Sequence, residues 1–121
     1  MPEGFSVVGF SPDEAWFVFE VAPSAVVLVD LAAPRRRVRV EAKARLTAVT
    51  LSRDGRLLAT GDAQGEVRVW SMDGVLLGAL EGHRSRVATL AFSSDGARLA
   101  SGGADTTALI WPRSAWEAEA R

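Results

Sequence analysis

The chain has 121 residues, within the size of one ordinary domain, and its 48% apolar content is enough for a packed core. Its formal net charge of −1 gives no general attraction to nucleic acid or anionic lipid, and its lack of cysteine rules out disulfides and thiolate chemistry. No apolar run approaches the roughly 20 residues of a membrane helix, and the Met-Pro-Glu-Gly start lacks the basic and apolar regions of a signal peptide, so a cytoplasmic location is the default expectation.

Strand-like segments fall in chain order at 5–10, 15–21, 25–31 and 38–40, with atypical turns at Pro12-Asp13-Glu14 and Val21-Ala22-Pro23-Ser24. The next set lies at 46–51, 57–60, 67–70 and 75–80, separated by Arg53-Asp54-Gly55, the Gly61-to-Gly65 turn and Met72-Asp73-Gly74. A third set lies at 87–92, 98–101 and 107–111, separated by Ser93-Ser94-Asp95-Gly96 and Gly102-Gly103-Ala104-Asp105. Ser and Asp hydrogen-bond their own backbone in such turns and Gly accepts positive φ. Short strands at this spacing, with no helical stretch between them, predict an antiparallel all-β chain.

The three sets are copies of one unit. Phe10-Ser11-Pro12-Asp13 recurs as Leu51-Ser52-Arg53-Asp54 and as Phe92-Ser93-Ser94-Asp95, and Val29, Trp70 and Trp111 are likewise 41 residues apart. A fixed period of this length marks an array of one supersecondary unit. The segment 114–121, where a last outer strand is expected, is rich in Ala and Glu and has poor strand propensity. It reads as a tail or a helical stub.

These residues resemble Trp-Asp (WD) repeats, the four-stranded blades of β-propellers. Gly82-His83 opens and Trp111-Pro112 closes the third copy; the second opens with Glu41-Ala42 and closes with Trp70-Ser71; the first keeps only Val29-Asp30. The resemblance implies an all-β partial propeller forming a single array over 1–121, with a degenerate first blade over 4–43, a second over 44–84, a third over 85–113 and a tail over 114–121. It also implies a buried hydrogen-bond network of His83, Ser101, Asp105 and Trp111, in which Asp accepts from His and His bonds Ser. Only Thr60 and Trp70 remain of that network in the second blade, where Ala42 and Gln64 replace His and Asp. Phe19 and Val29 replace Ser and Trp in the first.

Propellers close with about 4–8 blades, so three blades imply a longer propeller, self-association of two copies head to tail, or completion of a partner's ring. The function implied is a non-catalytic protein–protein interaction scaffold. The alternatives are a ring-completing structural subunit, or the C-terminal piece of a larger propeller protein such as the regulatory tail of a multidomain enzyme. No cofactor, metal or membrane partner is expected. The family's usual binding face maps onto Arg45, Ala63, Gln64, Arg84, Arg86 and Ala104, and its three arginines suit an acidic peptide or protein segment. Arg35-Arg36-Arg37-Val38-Arg39 reads as a solvated outer strand that guards an edge, ahead of a phosphate-binding cluster. Trp16 reads as core, and Trp116 as an exposed or docking aromatic.

Overall fold

The computed structural model describes residues 8–11, 14–33 and 36–117. Eleven strands form three antiparallel sheets among the described residues. The first sheet is β1 (Val8–Phe10), β2 (Trp16–Ala22), β3 (Ala25–Asp30) and β4 (Arg37–Glu41). The second is β5 (Leu46–Leu51), β6 (Leu57–Asp62), β7 (Glu66–Ser71) and β8 (Leu76–Glu81). The third is β9 (Val87–Phe92), β10 (Arg98–Gly103) and β11 (Ala108–Pro112). Strand order follows chain order within each sheet, so each is an up-and-down blade joined by tight turns, and the chain is all-β apart from α1 (Ser114–Glu117).

The segment after β11 is therefore helical at 114–117 and adds no fourth strand to blade 3; the rest of the expected tail, 118–121, lies outside the described residues. So do 5–7 of the first expected strand, Pro12, Asp13 and Arg35. β6 and β10 run two residues past their expected ends, through Gly61-Asp62 and Gly102-Gly103.

Two apolar clusters lie between the blades. Val18, Val26, Leu28 and Val40 of blade 1 meet Leu46, Leu58, Trp70 and Met72 of blade 2. On the other side of blade 2, Ala48, Ala59, Val67, Val69 and Leu80 meet Val87, Leu90 and Leu99 of blade 3. Alternate residues of a strand point to opposite faces, and blade 2, covered on both, carries near-continuously buried strands in β6 and β7. Each fully buried Leu or Val contributes about 1.5–3 kcal/mol.

Close approach at the second junction needs a residue with no side chain. A Cβ on Gly61 would lie 2.5 Å from Val87 Cγ1, and beside it the Thr47 hydroxyl donates to the Val87 carbonyl at 2.6 Å. Trp116 is 4% exposed and belongs to this junction. It packs edge-on against Phe92 at 6.0 Å between centroids and over Gly78. The expectation of an exposed docking aromatic is thus corrected: α1 turns the indole inward between β8 and blade 3, with its N–H buried and unpaired.

Turn geometry repeats with the period even where the residue changes. Gly65 has φ +93 and Thr106, one period on, has φ 70; Gly55 has φ 73 and Glu14, one period earlier, has φ 60. A β-branched residue in this region is strained. We expect Thr106→Gly to stabilise the chain by about 1 kcal/mol in urea unfolding. Gly65→Ala should destabilise it by about 2 kcal/mol or more, because the new Cβ would lie 2.4 Å from the His83 carbonyl oxygen. Equal and small effects at the two sites would contradict this account.

Candidate functional site

At the rim where blades 2 and 3 meet, the structure brings His83, Ser101, Asp105 and Trp111 together with a fifth residue, Thr107. His83 Nε2 lies 2.7 Å from Ser101 Oγ, and its Nδ1 lies 3.0 Å from Thr107 Oγ1. The Trp111 indole donates to Ser101 Oγ at 3.1 Å, and the Thr107 hydroxyl donates to Asp105 Oδ1 at 2.6 Å. Asp105 Oδ1 is 3.5 Å from His83 Nδ1, too long for a good hydrogen bond. The direct Asp–His bond expected from the sequence is thus corrected to a relay through Thr107.

Proton counting fixes the direction of the chain. Thr107 has one hydroxyl proton and gives it to a carboxylate, so it accepts from His83 Nδ1–H. With Nδ1 as the donor, Nε2 is the acceptor for the Ser101 hydroxyl, whose oxygen accepts from Trp111. Every member is satisfied, as a buried network requires. The His83 side chain is 0% exposed and both ring nitrogens are engaged, so it stands as a structural residue.

Asp105 also accepts from the backbone N–H groups of Arg84 (2.8 Å) and Thr107 (3.1 Å). The Thr107 hydroxyl first, and then the Arg84 N–H, hold its carboxyl well below the usual carboxylate range. Smaller versions of this turn occur at the opposite end of the blades. The Ser52 hydroxyl bonds Asp54 and the Ser93 hydroxyl bonds Asp95, each at 2.7 Å, and in each case this hydroxyl is the main cause of a lowered carboxyl pKa.

Blade 2 solves the same problem with different chemistry. Trp70 donates to Thr60 Oγ1 at 3.1 Å, and Arg68 lies over the Trp70 ring at 5.9 Å. The Arg68 guanidinium, on a residue 8% exposed, pairs with Glu66 Oε1 at 2.9 Å. Asp62, 2% exposed, accepts from the N–H groups of Gln64 and Glu66. Thus Gln64 does not take over the role of Asp105; the adjacent Asp62 caps the turn. Arg68 lies outside the family's network positions, yet Glu66-x-Arg68-x-Trp70 places three partners on one face of a strand.

The expected binding residues lie on the rim above these networks. The Arg45 carbonyl accepts from Ala63 N–H at 2.8 Å and the Arg86 carbonyl from Ala104 N–H at 3.0 Å, a contact repeated after one period. Arg45, Gln64, Arg84, Arg86 and Ala104 are exposed and Ala63 is half-buried. Among the described residues, no carboxylate pairs with the guanidinium groups of Arg45, Arg84 or Arg86. An open cleft of about 300 Å³ beside them is lined by Lys43, Gln64, Gly65, Glu66, Glu81 and His83.

The other basic cluster is occupied. Arg36 donates to Asp73 in the last turn of blade 2 and lies 4.0 Å from Asp30, and Arg39 lies 3.7 Å from Glu41. Val38 and Val40 face inward between the exposed charges of β4. Trp16 is half-buried against the first junction.

Comparison with known proteins agrees with this architecture. The family model "WD domain, G-beta repeat" matches residues 36–71 and 74–112, more than half of the chain. Mouse "F-box-like/WD repeat-containing protein TBL1X" is 34% identical over 74 residues, covering 61% of this chain and 14% of that protein. An Arabidopsis thaliana "U4/U6 small nuclear ribonucleoprotein PRP4-like protein" is 37% identical over 68 residues, 54% of this chain and 12% of its own length. The Dictyostelium discoideum "WD repeat-containing protein 3 homolog" is 50% identical over 46 residues, 37% of this chain and 5% of its own. The chain thus spans a small part of each relative.

Two outcomes follow from the network. Thr107→Val keeps the shape but leaves the His83 Nδ1–H buried without an acceptor, and should cost about 1–3 kcal/mol in urea unfolding; Thr106→Val should lack this component. Asp54, Asp95 and Asp105 have lowered folded pKa values, so their contribution is present above the unfolded carboxylate value near 4 and is lost as pH falls through the folded values. The urea midpoint should fall between about pH 5 and pH 2, and Asp105→Asn should flatten that slope while lowering stability at neutral pH.

Proposed function

The chain belongs to the WD-repeat family, and from that premise we propose that it acts as a non-catalytic protein–protein interaction scaffold whose rim binds an acidic peptide or protein segment. The observation that carries this reading is the set of three exposed arginines, Arg45, Arg84 and Arg86, on one rim, with no paired carboxylate among the described residues. Arg36, Arg39 and Arg68 each have a carboxylate within 4.0 Å. The exposed Arg53, Arg56 and Arg98 form no ion pair among the described residues but lie at the opposite end of the blades, in or beside the Ser-x-Asp turns. A guanidinium fork binds a carboxylate in two parallel hydrogen bonds, and Arg is over-represented among residues that dominate interface energetics.

The rim is also held stiffly enough to present those groups. Arg84 is fixed through its own N–H to Asp105, and Arg45 and Arg86 through their carbonyls to Ala63 and Ala104. A ligand therefore meets loops whose backbone is already ordered, which lowers the entropic cost of binding. Gln64 and the adjoining cleft supply amide and mixed-charge surface beside the arginines. Arg36 and Arg39, already engaged by carboxylates, favour an edge-guarding role for that cluster over phosphate binding.

The test is an array of acidic, neutral and basic peptides probed with the purified chain. Acidic peptides should be retained, and retention should weaken as salt rises. Arg84→Ala with Arg86→Ala should reduce affinity about tenfold or more, while Arg39→Ala leaves it unchanged. Retention that ignores peptide charge, or survives the double substitution, overturns this reading.

A further inference from the structure

Blade 1 (Val18, Val26, Leu28, Val40) and blade 2 (Ala48, Ala59, Val67, Val69, Leu80) each turn one face, here the flat face, toward the next blade. That next blade covers it with its opposite, bulky face, as Leu46, Leu58, Trp70 and Met72 do in blade 2. Leu28 of blade 1 and Val69 of blade 2 lie on flat faces and are both 0% exposed beneath the next blade. One period further on, the same position is Ile110, and it is 62% exposed. Val26 and Val67 are likewise 0% exposed, and their image, Ala108, is exposed. The flat face of blade 3 is thus a third copy of a surface that the structure twice shows covered, and each time by the same kind of face.

The opposite end shows the complementary mismatch. On the bulky face, Met72 is 7% exposed inside the first junction, whereas its image one period earlier, Leu31, is 38% exposed. Asp62 is 2% exposed and its image, Val21, is 40%. Thr60 and Arg68, polar and buried, correspond to Phe19 and Val27, apolar and half-buried. Of the exposed large hydrophobic residues, three (Val21, Leu31 and Ile110) thus lie at the two ends of the array.

The geometry points to a second copy of this chain as the occupant of both faces, its blade 1 resting on the flat face of blade 3 and the reverse, in a closed six-blade ring. One copy carries one uncovered face of each kind, so the contact is head to tail, and two such contacts related by a two-fold axis close without leaving a free end. Two copies of the three described blades make six, within the roughly 4–8 of closed propellers. The central strands of both end faces are apolar, as in the two junctions inside the chain, and on blade 1 the charged Arg37, Arg39 and Glu41 of β4 flank Val29, Val27 and Ala25 on the same face. This assembly leaves the rim arginines free.

Light scattering on a sizing column tests the proposal with the 121-residue chain. A mass of twice 12.9 kDa is expected. Ile110→Asp and Leu31→Asp, each placing a charge in the proposed contact, should each weaken dimerisation at least about a hundredfold with an unchanged far-ultraviolet spectrum, since both side chains are already exposed. Leu76→Asp is the control: Leu76 is 42% exposed on the outer strand of blade 2, away from both end faces, and the variant should remain dimeric. A folded wild-type monomer would overturn the proposal. A dimer that tolerates either end substitution is joined by other surfaces, and an open-ended series of larger species shows that the contacts do not close; both also refute the ring.

Discussion

A four-stranded sheet with apolar side chains on both faces cannot shed its water alone, and among the described residues only blade 2 has a neighbour on each side. Its strands are accordingly the most continuously buried: β6 and β7 each carry four or more consecutive fully buried positions. Blade position, more than local propensity, decides how a repeat behaves here. The same step in the period gives 0% exposure at Val69 and 62% at Ile110. The Gly61–Val87 approach and the Thr47 hydrogen bond across it show how tightly a junction closes once a second face arrives.

The polar networks are answers to that closure. Packing one blade on another removes water from a strand face that carries an indole N–H and the residues near it, and each group then needs a partner. Blade 3 uses a directional chain from Trp111 through Ser101, His83 and Thr107 to Asp105. Blade 2 uses the Arg68–Glu66 pair stacked on Trp70 and the Thr60 hydroxyl. Blade 1 dispenses with polar groups and places Phe19 and Val27 there. A buried ion pair must recover a large desolvation cost, and the Trp70 ring and the satisfied turn at Asp62 supply the remaining contacts. The second repeat thus keeps the Trp70–Thr60 bond and satisfies its other buried polar groups with different partners, while the apolar Phe19 and Val27 of the first need none.

Much of this was legible in the sequence, for reasons that can be named. β5 and β9 coincide with their expected bounds because alternation and a following Ser-x-Asp turn mark both ends. β6 and β10 outran theirs because Gly-Asp and Gly-Gly look like turn residues, yet here they continue a ladder on which the neighbouring strand closes. Trp116 was misplaced because it has no image in the other repeats, so only packing between β8 and blade 3 assigns it. Thr107 was missed because a family pattern names the ends of a hydrogen-bond path and not the hydroxyl between them. Arg68 was missed because a charged residue in a strand reads as exposed until its partner two positions earlier is counted.

The distribution of charge separates the surfaces by use. Arginines that face carboxylates tie the fold: Arg36 links the β3–β4 connection to the last turn of blade 2 through Asp73, and Arg68 fills blade 2 beside Glu66. Arginines on the rim face water, although Asp105 lies within reach of the Arg84 backbone. That carboxylate accepts from two N–H groups and a hydroxyl, so the network that fixes His83 also engages the acid that the Arg84 backbone meets. Arg45, Arg84 and Arg86 thus stand exposed on the rim of a chain whose net charge is −1, beside a cleft that Lys43, Glu66 and Glu81 also line. Binding of a carboxylate-rich segment and burial of the end faces thus draw on separate parts of the molecule, one governed by salt and the other by apolar area.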